Sequence, residues 1–90
     1  MSSVSIQKEK ICIRVILFGP LKDFFKSELE MELPLPASVH SVRDHLISLN
    51  QFSEAMLLSS RAAIMDEFVE LTRKLEDGDE IYFLPPASGG

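Results

Sequence analysis

Two short apolar runs, Lys10–Phe18 and Ile81–Leu84, stand almost the whole chain apart, with one strong amphipathic helix pattern between them. That arrangement limits the folds open to the chain. The two runs are its most apolar strand candidates, and such strands belong at the centre of a sheet. If they lie side by side and parallel, the intervening chain must supply a crossover, and a helix is the usual way to make one. In Lys10–Phe18, Ile11, Ile13, Val15 and Leu17 alternate with Cys12, Arg14, Ile16 and Phe18. The first set is wholly apolar and is expected to face the core. The helix pattern opens at Ser38, a good N-cap, and runs to about Asn50. Val39, Val42, Leu46 and Leu49 recur along it at helical spacing, with Ile47 beside them, and form one stripe. A single stripe covers a single face of a sheet.

The remaining segments fit around this frame. Residues 1–9 are polar and serine-rich and read as a flexible extension. Gly19-Pro20 breaks the first strand, and Leu21, Phe24 and Phe25 suit one helical turn packed against its end. Glu28 to Leu33 alternates strictly, which predicts a half-exposed strand in a wide hairpin with the first. Its glutamates, Glu28, Glu30 and Glu32, then guard a sheet edge. Pro34 and Pro36 end it. Phe52–Ser60, with Ala55, Met56, Leu57 and Leu58, suits a short second helix. Arg61–Met65 and Phe68–Leu71 read as two brief strands around a turn at Asp66-Glu67. Cys12, in mid-strand, reads as a small packed side chain. The order of elements predicts an α+β, ubiquitin-like β-grasp: a mixed sheet packed on one main helix. The domain spans 10–86, followed by a flexible tail at 87–90.

The tail is where chemistry is expected. Asp77-Gly78 marks a tight turn into the last strand. Pro85 and Pro86 have no N–H to donate, so sheet pairing must stop there. Ala87, Ser88, Gly89 and Gly90 carry almost no side chain, and glycine can follow a groove that would reject any other residue. The one reactive group such an arm presents is the α-carboxylate of Gly90. With a pKa of about 3.5 it is ionised at neutral pH and is a poor electrophile until another protein activates it.

Asp77-Gly-Asp-Glu-Ile followed by Leu84-Pro-Pro-Ala-Ser-Gly-Gly90 resembles the C-terminal signature of the MoaD family, the small sulfur-carrier subunit of molybdopterin synthase. The likeness extends to Arg14–Phe24 and to the helix opening at Ser38-Val39. It implies a non-catalytic, sulfur-donating subunit. A ubiquitin-activating-type adenylyltransferase, MoeB-like, would use ATP to adenylate Gly90, and a sulfur donor would convert the product to a thiocarboxylate. A large, MoaE-like subunit would receive the tail and pass its sulfur to the cyclic pterin precursor. Gly90 would be the reacting residue, with Gly89 giving clearance and Ser88 acting as a spacer. Pro85 and Pro86 would hold direction, while Phe18, Phe68 and Leu84 would anchor the partner. No cofactor would be bound stably. The family usually has an asparagine where Met65 stands. Alternatives are a thiamine-type sulfur carrier, a ubiquitin-like protein modifier and an inert β-grasp interaction domain.

Strand parity leads to the same anchor residues without any family. If Ile81 and Phe83 lie under the helix, Tyr82 and Leu84 share the opposite face with Ile16 and Phe18, and Phe68 joins them. A cluster of large apolar side chains left in water marks a docking surface; the competing expectation is that Phe52–Ser60 folds over it. The acidic group Glu76, Asp77, Asp79 and Glu80 has two readings, contacts for a basic partner or ordinary turn solvation.

Composition excludes several other classes. A formal charge of −5 leaves no basic patch to neutralise phosphates, so a nucleic-acid partner is not expected. With one cysteine there is neither an internal disulfide nor a multi-cysteine zinc site. No run approaches the length of a membrane span and the start lacks a signal-peptide core, so a cytoplasmic protein is expected. His40 and His45 are five apart and do not share a helix face as a metal pair would. Ser38, His40 and Asp44 lack any nucleophile elbow and make no triad.

Overall fold

Five strands form one mixed sheet in the computed structural model, which describes residues 9–86. In chain order they are β1 (Lys10–Leu17), β2 (Glu28–Pro34), β3 (Arg61–Ile64), β4 (Glu67–Val69) and β5 (Glu80–Leu84). Helices α1 (Val39–Leu49) and α2 (Glu54–Ser59) lie between β2 and β3. The sheet order is β2-β1-β5-β3-β4, with β1 and β5 adjacent, parallel and central. This is the predicted β-grasp. β2 pairs antiparallel with β1 and is an edge strand, so its exposed glutamate row lies where an unpaired edge needs charge.

The core lies between the sheet and α1. Ile13, Val15 and Leu17 of β1 meet Ile81 and Phe83 of β5 in register, Val15 opposite Ile81 and Leu17 opposite Phe83. Val39, Val42 and Leu46 of α1 close over them and are fully buried. Truncating a side chain such as Leu46 to alanine would cost about 2–5 kcal/mol, because the packed neighbours relax only in part. Leu21, on a 3-10 turn at Gly19–Asp23, plugs the end of β1 as its spacing predicts.

Two loops lock this frame. The first N–H groups of α1 have no partner within the helix. Val39 donates to the Arg73 carbonyl and His40 to the Leu71 carbonyl, both at 3.0 Å, while Ser38 N–H donates to Ser41 Oγ at 3.0 Å. The turn before β5 is stitched to β1. Cys12 N–H donates to Asp77 Oδ1 at 2.7 Å, and Gly78 N–H donates to the Cys12 carbonyl at 2.8 Å. Gly78 takes φ +91°, a conformation that glycine adopts without penalty.

Several expectations need correction. Phe18 lies outside β1, because the chain turns at Gly19, where φ is +57°. Cys12 is exposed rather than packed: it projects from the uncovered side of the sheet, beyond the reach of any helix. Leu49, the last residue of α1, is 58% exposed rather than part of the buried stripe. The β3–β4 turn is centred on Met65 and Asp66, one position earlier than predicted, and β4 ends at Val69. Ile64 pairs with Glu67, which leaves only two residues for the turn.

Candidate functional site

Alternation along the central strands sends Ile16 and Tyr82 away from the helices, and β5 continues with Leu84 on the same side. The neighbouring hairpin adds Ala63 and Phe68, which are paired across β3 and β4. Phe18, just past β1, brings its ring to 5.8 Å from that of Tyr82, tilted by 42°. Phe18, Ala63, Asp66, Phe68, Tyr82 and Leu84 line a mostly apolar depression of about 220 Å³. Phe18 is 39% and Phe68 56% exposed, which is unusual for such large rings and leaves the depression open to solvent.

The second helix does not cover this face. α2 inserts Leu57 into the core beside α1 while Leu58 and Phe52 face solvent, and no residue of the 52–60 segment lines the depression. The covering expectation is thus overturned, and the face is open among the described residues. Of the predicted anchors, Phe18, Phe68 and Leu84 are brought together. Ala63, Asp66 and Arg61 were missed, because the hairpin register that places them was not legible. Arg61 lies opposite Leu84 in the β3–β5 register, and its guanidinium carbon sits 3.6 Å from the centroid of the Phe68 ring.

A polar border flanks the apolar one. Arg14 pairs with Glu28 at 3.1 Å and with Glu80 at 3.5 Å, and the Tyr82 hydroxyl donates to Glu80 Oε1 at 3.0 Å. That hydrogen bond, reinforced by the carboxylate's negative charge, raises the Tyr82 pKa above the ordinary tyrosine value. Three of the four acidic residues at the start of β5 are engaged internally. Asp77 and Asp79 accept backbone N–H groups of Cys12 and Glu76, and Glu80 holds Arg14 and Tyr82. Turn construction accounts for Asp77 and Asp79, and side-chain pairing on the sheet accounts for Glu80. The same is true of a polar hollow around Cys12, whose lining includes Arg14, Asp77 and Glu80.

β5 pairing stops at Leu84, where the prolines require it to. Pro85 is half-buried and packs over the first turn: a Cβ added at Gly19 would meet Pro85 Cγ at 3.4 Å. Pro86 is exposed. Residues 87–90 lie outside the described residues, and with them the predicted Ser88, Gly89 and Gly90. Among the described residues, no group of three or more His, Cys, Asp or Glu could hold a metal ion, and no helix is long and apolar enough to cross a membrane. His40 Nδ1 meets Asp44 Oδ2 at 3.0 Å on the exposed side of α1.

The ThiS family model matches residues 15–90, from mid-β1 through the final glycine. The chain belongs to the ThiS family. No curated protein sequence matches it significantly. Among solved structures, small archaeal modifier protein 1 of Haloferax volcanii is similar at TM-score 0.77 and 20% identity, over 88% of this chain and 99% of that one. A putative molybdopterin converting factor subunit 1 of Pyrococcus furiosus is similar at TM-score 0.77 and 20% identity, over 86% of this chain and 99% of that one. A chain in a complex of molybdopterin-converting factor subunits 1 and 2 from Helicobacter pylori has TM-score 0.65 and 25% identity, over 89% of this chain and all of that one. ThiS family members of the MoaD/ThiS type are small ubiquitin-like carrier domains, generally without catalytic activity of their own. This fold serves sulfur carriers and ubiquitin-like modifiers alike.

Proposed function

We propose that this chain is the sulfur-carrying small subunit of a molybdopterin synthase. One observation carries the reading: the open apolar depression lies on β5, the strand that runs directly into the diglycine arm. A partner seated on Phe18, Phe68 and Leu84 receives Gly90 in the same encounter. The Helicobacter pylori complex of subunits 1 and 2 supports a large subunit as that partner. Pro85, held against the Gly19 turn, sets the direction in which the arm leaves the domain.

The chemistry begins on a partner of the ubiquitin-activating type. A carboxylate oxygen of Gly90 attacks the α-phosphorus of ATP and pyrophosphate leaves. A hydrosulfide equivalent from a donor enzyme then attacks the acyl carbon and displaces AMP, leaving a thiocarboxylate. In the large subunit the sulfur passes to the cyclic pterin precursor, and water returns the carboxylate. The general acids and bases for that step belong to the large subunit. The small subunit contributes position, which converts a bimolecular sulfur transfer into one within a docked complex. Such a cycle runs in the cytoplasm.

The likeness to small archaeal modifier proteins favours a second reading, in which Gly90 ends as an isopeptide on a target lysine. Intact-mass measurement separates the two. The chain is incubated with activating enzyme, ATP and a sulfur source. Replacement of one oxygen by sulfur at Gly90, with copurification of a pterin-pathway large subunit, is the expected result. Thiocarboxylation with no such subunit points to the thiamine type, attachment to another protein to a modifier, and an unchanged mass to an inert domain.

A further inference from the structure

Arg61 stands out at the edge of the docking face. Its guanidinium lies on the Phe68 ring, and among the described residues no carboxylate lies within 4.0 Å of it. Arg14, on the same side of the sheet, is by contrast held by two glutamates. Asp66 lines the depression and Glu67 follows it, yet Arg61 pairs with neither. The ring holds one face of the planar guanidinium, and among the described residues no side chain occupies its N–H edges, which suit a planar, two-oxygen acceptor. Arg61 is also opposite Leu84, the last residue before the prolines. A partner that fills the depression and receives the arm must therefore cover Arg61 as well.

Covering an unpaired guanidinium removes its water without replacing the lost hydrogen bonds, so a tight complex has to provide an acceptor. We propose that Arg61 is a specificity-determining contact of the docking face, and that the partner closing on Phe68 and Leu84 presents a carboxylate to its guanidinium. The partner surface is then an apolar plug flanked by an Asp or Glu side chain. This selects against partners that are basic throughout, although the small subunit's net charge of −5 would attract them. The inference rests on the docking reading above and deepens it.

The test is calorimetric titration of the full-length chain with the large molybdopterin synthase subunit, for wild type, R61Q and R61E, at low and high salt. Thermal melts check that each variant is folded; Arg61 is exposed, so both should melt close to wild type. Arg61→Gln is expected to weaken binding about tenfold and Arg61→Glu about a hundredfold or more, with the gap between wild type and R61Q narrowing at high salt. Wild-type binding with R61E equal or tighter overturns the carboxylate contact and leaves the docking face standing. Failure of the wild type itself to bind overturns the molybdopterin reading and the contact with it.

Discussion

Replacing Met65 with asparagine should stabilise the domain. Met65 and Asp66 are the two central residues of the β3–β4 turn, at φ +54° and +68°. Two-residue hairpins favour this mirror-image geometry because it matches the twist of the strands, but it asks both residues to be left-handed. That region costs a residue with Cβ about 1–2 kcal/mol, less for Asn or Asp, whose short side chains bond locally to the backbone. Asp66 suits its place, so the strain falls on Met65. Its side chain is 85% exposed and gives little packing in return. Met65→Asn should recover about 0.5–1 kcal/mol of that strain. For a domain of this size, 1 kcal/mol is about 4–8 °C in Tm, so the midpoint should rise by about 2–8 °C. Met65→Gly relieves the same strain but returns about 0.5–1 kcal/mol to the unfolded chain as entropy, and should fall between. Met65→Val, β-branched, should melt below wild type. Calorimetric melts and urea titrations at constant m-value measure all three. A Met65→Asn protein melting at or below wild type, with m unchanged, would refute the turn-strain reasoning.

Gly19→Ala should lower stability by about 1–2 kcal/mol, read by thermal melts, because φ +57° is left-handed while the 3.4 Å approach to Pro85 is tolerable contact. Phe68→Ala should change stability by less than about 1 kcal/mol, since the ring is more than half exposed, yet weaken large-subunit binding by about thirtyfold or more, as a central aromatic anchor does. Titration calorimetry beside a melt separates these effects. Tyr82 is the only tyrosine, so its ultraviolet phenolate absorbance reports one group. Its midpoint should exceed that of the unfolded chain, and Glu80→Gln should lower it. An acid whose folded pKa is raised adds stability below its unfolded pKa and loses it as pH rises through the folded one. Wild type should therefore lose stability relative to Tyr82→Phe in alkaline melts.

Periodicity carried most of the frame because it reports burial directly. The alternation of Ile11, Ile13, Val15 and Leu17 against Cys12, Arg14 and Ile16 defined which side of β1 meets the helix, and Ser38 with the Val39–Leu46 stripe located α1. Parity alone then put Tyr82 and Leu84 beside Ile16 and Phe18, so the open apolar face was legible before its geometry. The weak point was the β3–β4 hairpin, where methionine occupies a turn position that neither its propensity nor its chemistry announces. The error of one residue there hid Asp66 and Ala63 as lining residues. Cys12 is exposed for a different reason: mid-strand position says nothing about whether a sheet's second face is covered.

Local order was thus written in the side chains, along with the end of the last strand: Pro85 and Pro86 have no N–H to pair, and β5 stops at Leu84. Tertiary structure alone decided that the Arg61 guanidinium lies on the Phe68 ring, that Asp77 and Asp79 are spent on the turn before β5, and that α2 sends Leu57 inward and leaves the outer face bare. These depend on distances between segments far apart in the chain, and such distances follow from how the sheet pairs and packs, which no local pattern encodes.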